Sequence, residues 1–128
     1  RKTSAMIGLY QGTIADQYYP YVRPQENGNK SDVRWARLSK KGVSLTIYSI
    51  DTLLNVNALP YSPAQLFPGV EKGQTHAGEL TPSPYTHLDI DLQQLGLGGD
   101  NSWGNLPMQQ YLLYLYQPYS YSYRIEVH

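Results

Sequence analysis

Cysteine is absent from this chain and phenylalanine occurs once. The first absence excludes disulfides and cysteine-ligated zinc, and it leaves the redox compartment open. An excess of charge is missing too, because ten basic and ten acidic residues cancel. With no basic block there is no electrostatic footprint for nucleic acid or for an anionic membrane, so neither is expected as a partner. No apolar run approaches the ~20 residues of a spanning helix. The opening Arg1-Lys2-Thr3-Ser4-Ala5 has neither an initiator Met nor the apolar stretch of a signal peptide. The chain is therefore expected to be a piece of something longer. Internal repeats and a convincing long helix are lacking as well.

What is present is tyrosine, thirteen of them among 128 residues. The length suits one domain with a real core. Tyrosine favours strands and carries a hydroxyl that seeks polar partners, which suits a β protein handling polar ligands. Ser4 to Tyr10 reads as a short strand. Tyr18 to Pro24 reads as an extended connector, since Pro20 and Pro24 remove backbone donors. Asn27-Gly28 marks a turn. Asp32 to Leu38 reads as one strand around Val33 and Trp35, and Lys40-Lys41-Gly42 turns the chain. Val43, Leu45 and Ile47 then alternate with Ser44, Thr46 and Tyr48, the pattern of a half-buried strand.

Leu54 to Leu59 is expected to be a further strand. Ser62 and Pro63 read as the cap and first residue of one helical turn. Phe67 to Pro84 reads as a long loop. Leu88, Ile90 and Leu92 alternate with His87, Asp89 and Asp91. Tyr111 to Tyr116 reads as an apolar strand. Tyr119, Tyr121, Tyr123, Ile125 and Val127 are expected on one side of a last strand, with Ser120, Ser122, Arg124 and Glu126 on the other. Roughly six short strands or more, punctuated by Gly and Pro, predict an all-β antiparallel sandwich.

The stretch Gly96-Leu97-Gly98-Gly99-Asp100-Asn101-Ser102-Trp103-Gly104 stands apart. Glycine permits backbone shapes that other residues resist. A tryptophan on such a loop is either a ligand platform or a plug for the end of the sandwich. A phosphate cradle is disfavoured: Asn101 stands where the dinucleotide fingerprint needs a small residue, and Pro107 prevents a helix in register. Asp89 and Asp91 lie about 6.6 Å apart along a strand, within the spacing of an inverting glycosidase pair. They project in parallel from one face rather than across a cleft, so a solvated face is the better reading. Nor do His87, Asp89 and Asp91, in line on that strand, wrap a metal. No Gly-x-Ser-x-Gly elbow occurs. Asn29-Lys30-Ser31 fits a glycosylation sequon that arises easily by chance.

A resemblance adds to this. Tyr21-Val22-Arg23-Pro24-Gln25-Glu26-Asn27-Gly28-Asn29, Asp32-Val33-Arg34-Trp35, Leu88-Asp89-Ile90-Asp91, Gly98-Gly99-Asp100-Asn101-Ser102-Trp103-Gly104 and Tyr121-Ser122-Tyr123-Arg124 occur in this order. Together they resemble the C-terminal domain of large β-galactosidases of glycoside hydrolase family 2. The opening resembles the segment just after that family's Gly-Pro-x-Glu-Asn-Tyr run. The likeness is weakest over Leu53 to Tyr85.

The resemblance implies an enzyme that hydrolyses terminal β-D-galactosides with retention, through two glutamates on a (β/α)₈ barrel. Neither the barrel nor those glutamates is in this chain, which the resemblance makes non-catalytic alone. Residues 1–128 would be the second half of a galactose-mutarotase-like supersandwich. Trp103 matches a tryptophan that stacks on the sugar in the acceptor region, a contact worth roughly 1–3 kcal/mol by analogy with base stacking. Asp100 and Asn101 would brace the loop. Magnesium and sodium are implied for the barrel, not for this piece. The implied partners are a β-galactoside and the barrel domain of the same chain, with a homo-oligomer open and the compartment either bacterial cytoplasm or periplasm. Two alternatives stand beside this reading: a stand-alone carbohydrate-binding module using Trp103 with Tyr119 or Tyr121, and a structural interface domain with Trp103 buried.

Overall fold

The computed structural model describes residues 6–20, 22, 27–71, 73, 75–95 and 104–128. Two three-stranded antiparallel sheets stack into a sandwich. One holds β1 (Lys30–Val33), β4 (Leu54–Leu59) and β5 (His87–Asp91) in the order β1-β4-β5. The other holds β2 (Trp35–Lys40), β3 (Val43–Ser49) and β6 (Tyr123–Val127) in the order β2-β3-β6. The all-β antiparallel sandwich expected from the strand pattern is the architecture observed.

The stretch read as one strand, Asp32 to Leu38, is two strands in different sheets. Asp32 takes φ 56 and introduces a bulge against β4, where Lys30 faces Val56 and Val33 faces Leu54. A bulge bends its strand, and the chain changes sheet at Arg34. Ser49 holds that crossover: its backbone N–H and its hydroxyl both donate to the Arg34 carbonyl, each at 3.0 Å. After β2, Lys41 and Gly42 both take positive φ, 50 and 83, closing a two-residue hairpin that aligns Lys40 with Val43.

The core lies in two layers. Between the sheets, Ile47, Leu54 and Val56 are buried, with Ala36, Leu38, Leu45, Leu88 and Ile90 around them. Tyr121 reaches across the sheets and donates to the Ile90 carbonyl at 2.8 Å. On the far side of β4, Leu59 packs with Val22 and Leu66, closed over by Tyr18, Tyr61 and Leu80. Helix α2 (Pro63–Leu66) supplies Leu66; the Ser62 hydroxyl accepts from Gln65 N–H and the Gln65 side chain accepts from Ser62 N–H. Ser62 is the cap and Pro63 the first helical residue, as expected, and the return bond from Gln65 completes a capping box. A second single turn, α1 (Ile14–Gln17), is capped in the same way by Thr13 and Asp16.

Asn27-Gly28 explains itself structurally. The Asn27 amide accepts from Tyr19 N–H at 2.9 Å and donates to the Tyr19 carbonyl at 3.0 Å, tying the connector to the sheet. Gly28 takes φ +72, and a Cβ there would stand 2.6 Å from the Gln17 carbonyl oxygen. Only glycine fits.

Three further expectations are corrected. Residues 6–10 form no strand, and Tyr10 instead donates to the Met6 carbonyl at 2.6 Å; Ser4 and Ala5 lie outside the described residues. Tyr111 to Tyr116 is not a strand: a 3₁₀ turn covers Gln109–Tyr111 and a second turn follows at Leu115 and Tyr116. Apolar residues make a strand only where a neighbour completes the ladder, and here the Tyr114 N–H is taken by the Tyr119 hydroxyl at 2.7 Å. The last strand begins at Tyr123 rather than Tyr119. In β3 the alternation is also less simple than expected, since Ser44 and Thr46 are buried along with Ile47.

Candidate functional site

The three residues singled out as the sugar contact, Trp103, Asp100 and Asn101, lie outside the described residues, as does the whole stretch 96–103. The structure describes what leads into that stretch and out of it. Strand β5 ends at Asp91, and the chain is described again from Gly104, whose φ is 113. Beyond it, Leu106, Met108, Tyr111, Leu115 and Tyr116 are exposed.

His87, Asp89 and Asp91 share the face of β5 that points away from the other sheet, level with Leu59, Asn57 and Asn55 of β4. Asn55 accepts from the Asn29 amide at 3.3 Å and donates to the Leu92 carbonyl at 3.2 Å. The two carboxylates project side by side from one strand, with no cleft between them for a scissile bond. Burial pushes the Asp91 carboxyl above its ordinary value, the Asp89 charge adds to this, and a Gln94 hydrogen bond opposes it. Among the described residues no three histidine, aspartate or glutamate side chains are grouped to hold a metal. None of the helices described is long and apolar enough to cross a membrane.

A second surface was not singled out from the sequence. The register of β2, β3 and β6 sets three rows of side chains on the outer face of their sheet. Trp35, Tyr48 and Arg124 form the first row; Arg37, Thr46 and Glu126 form the second; Ser39 and Ser44 stand in the third, beside His128. The small Thr46 at the centre leaves a concavity of about 220 Å³ walled by Trp35, Arg37 and Tyr48. Arg37 Nη2 donates to Ser44 Oγ at 2.7 Å. Arg124 lies over the Tyr48 ring, 4.8 Å from its centroid, and pairs with Glu126 at 3.1 Å. Period-2 outward positions were legible strand by strand; their assembly into rows depends on register, which joins residues more than seventy positions apart.

The chain matches, over residues 1–125, the family described as β-galactosidase small chain. A β-galactosidase of Priestia megaterium is 36% identical over 127 residues, 98% of this chain and 12% of that protein. One from Lactobacillus delbrueckii subsp. bulgaricus is 45% identical over 100 residues, 77% of this chain and 9% of the relative. The β-galactosidase BgaC of Bifidobacterium adolescentis is 32% identical over 126 residues, 96% of this chain and 12% of that protein. The chain thus spans about one eighth of the first of these relatives. A family match over nearly its whole length, on a sandwich whose motif turn at Asn27-Gly28 is fixed by its own packing, leaves one conclusion: this chain belongs to the β-galactosidase small-chain family.

Proposed function

We propose that this chain is part of the C-terminal, galactose-mutarotase-like sandwich of a family 2 β-galactosidase that hydrolyses terminal β-D-galactosides. In this reading residues 1–128 are one non-catalytic unit, and the acid and nucleophile stand on a barrel elsewhere in the enzyme. The observation that carries the reading is the family match over residues 1–125, set beside relatives of which this chain covers 12% or less. A chain so small against its relatives leaves ample room elsewhere for the catalytic machinery. Magnesium and sodium, which the resemblance implies for the full enzyme, would take their ligands from the barrel rather than from this piece.

The role proposed for the piece is to complete the acceptor side of the active site. Trp103 offers its indole to the C–H face of a pyranose while the sugar's hydroxyls stay hydrogen-bonded, and Asp100 and Asn101 brace the loop that carries it. The barrel of the enzyme and the β-galactoside are then its partners. Trp103→Ala in the whole enzyme is expected to weaken sugar binding by roughly 1–3 kcal/mol, read as a raised KM, with the barrel's acid and nucleophile in place. Unchanged kinetics would remove the role. Galactoside hydrolysis by the 128-residue chain alone would overturn its assignment as non-catalytic.

The family's description as a small chain favours a second arrangement, in which the sandwich belongs to a subunit separate from the barrel. Mass spectrometry of the purified, denatured enzyme distinguishes one polypeptide from two.

A further inference from the structure

We infer that the outer face of the β2-β3-β6 sheet carries a second carbohydrate site, one that takes a single neutral hexopyranose unit. It uses none of the residues proposed for the Trp103 contact and does not rest on that contact. Trp35 is 48% exposed at the wall of the concavity, so much of its indole is in water. A sugar ring presents a C–H face that packs on such an indole, and a rim of hydroxyls that needs donors and acceptors.

That rim is supplied. Among the described residues, the Trp35 indole N–H, the Tyr48 hydroxyl and the Thr46 hydroxyl make no side-chain hydrogen bonds, and Arg37 uses only Nη2, on Ser44. Two aromatics and one guanidinium thus surround a small floor residue, Thr46, which is itself buried, and polar atoms without partners lie among them, the composition expected of a small-molecule site. The Ser44 bond fixes Arg37, and the Arg124 stack fixes Tyr48, so part of the ordering cost is met before a ligand arrives. The volume, about 220 Å³, suits one ring rather than an extended ligand.

The charges argue for a neutral sugar. Glu126 stands in the same row as Arg37 and Thr46 and already neutralises Arg124, so an anion entering the concavity meets a carboxylate at its edge. A protein covering this face would bury the exposed Arg124–Glu126 pair at a desolvation cost. A single sugar ring at Trp35, Arg37 and Tyr48 leaves the pair in water.

The test is a nuclear magnetic resonance titration of the 128-residue chain with methyl β-galactopyranoside. Saturable shifts are expected at the Trp35 indole and at Arg37, Thr46 and Tyr48, with a dissociation constant on the order of millimolar, as befits one exposed ring. Trp35→Ala should weaken binding at least tenfold, and Thr46→Val, which removes the hydroxyl at constant shape, about threefold. Signals of Ile47 and Leu54 report whether each variant keeps its core; if Trp35→Ala loses it, Thr46→Val decides. Saturation read at Trp35, Arg37, Thr46 and Tyr48 locates the ligand on this face and separates the site from the acceptor contact. Absence of saturable shifts at Trp35, or shifts that survive both Trp35→Ala and Thr46→Val, would overturn the inference. Protection of Trp35 from hydroxyl-radical labelling in the whole enzyme would overturn it too, by showing that protein covers the face.

Discussion

The two sheets are built from the same kind of alternating sequence and use their second faces differently. In β4, Leu54 and Val56 face the other sheet while Leu59 is buried on the opposite side under Val22, Leu66 and the edge-on ring pair of Tyr18 and Tyr61, whose centroids are 4.9 Å apart. That sheet is therefore an inner layer, with sandwich on one side and tethered connectors on the other. Although Ser44 and Thr46 on its other face are buried too, among the described residues the β2-β3-β6 sheet meets a second layer on one face only. Even that cover is partial: Ile47 is 0% exposed, yet Ile125, its direct neighbour on β6 and on the same face, is 46% exposed, and Val127 is 69% exposed. Burial here is decided by what lies opposite a position, not by the residue type that occupies it.

The largest expected effects come from removing what the two layers share. Ile47→Ala and Leu59→Ala should each cost about 2–5 kcal/mol, measured by urea denaturation, because both leave cavities in closed surroundings. Ile125→Ala, at the position paired directly with Ile47, should cost well under half as much. Equal losses at Ile47 and Ile125 would break the comparison and mean that the β6 flank is covered in solution.

Gly28→Ala should come next, on the order of 2 kcal/mol, since a Cβ would press on the Gln17 carbonyl and φ is positive. It tests whether the connector layer stabilises the inner sheet. A neutral effect would mean that this layer is dispensable.

The smallest effect concerns the polar rim of the inner sheet. Burial and the Asp89 charge hold Asp91 above its ordinary value, so the folded chain binds that proton more tightly than the unfolded one. The stability this contributes is present below the unfolded pKa and is lost as pH rises through the raised folded value. Asp91→Asn should therefore raise Tm slightly at pH 7 and give no gain at pH 3, read by thermal denaturation. A larger gain at pH 3 would contradict the assigned environment.

How much of this was legible beforehand varies by element. Strand β4 begins and ends where its pattern does, at Leu54 and Leu59, and Ser62-Pro63 marks its helix because capping is a contact among neighbours. The hairpin at Lys41-Gly42 is local in the same sense. By contrast, Tyr111 to Tyr116 has the composition of a strand and pairs with no strand among the described residues. Arg34 gives no local sign that the chain changes sheets there. Of the site, the glycine-rich stretch with Trp103 stands out by composition alone, whereas Trp35 reads as one more strand residue until β3 and β6 are laid beside it.

Sequence alone determined the strand-rich class, the Lys41-Gly42 turn, the Ser62 cap and the family likeness, because each depends on backbone propensity or on residues a few positions apart. Only the tertiary structure decided which strands share a sheet, which faces are covered twice, once or not at all, and which outward side chains form a row. Those depend on register between distant segments, and no local preference encodes it.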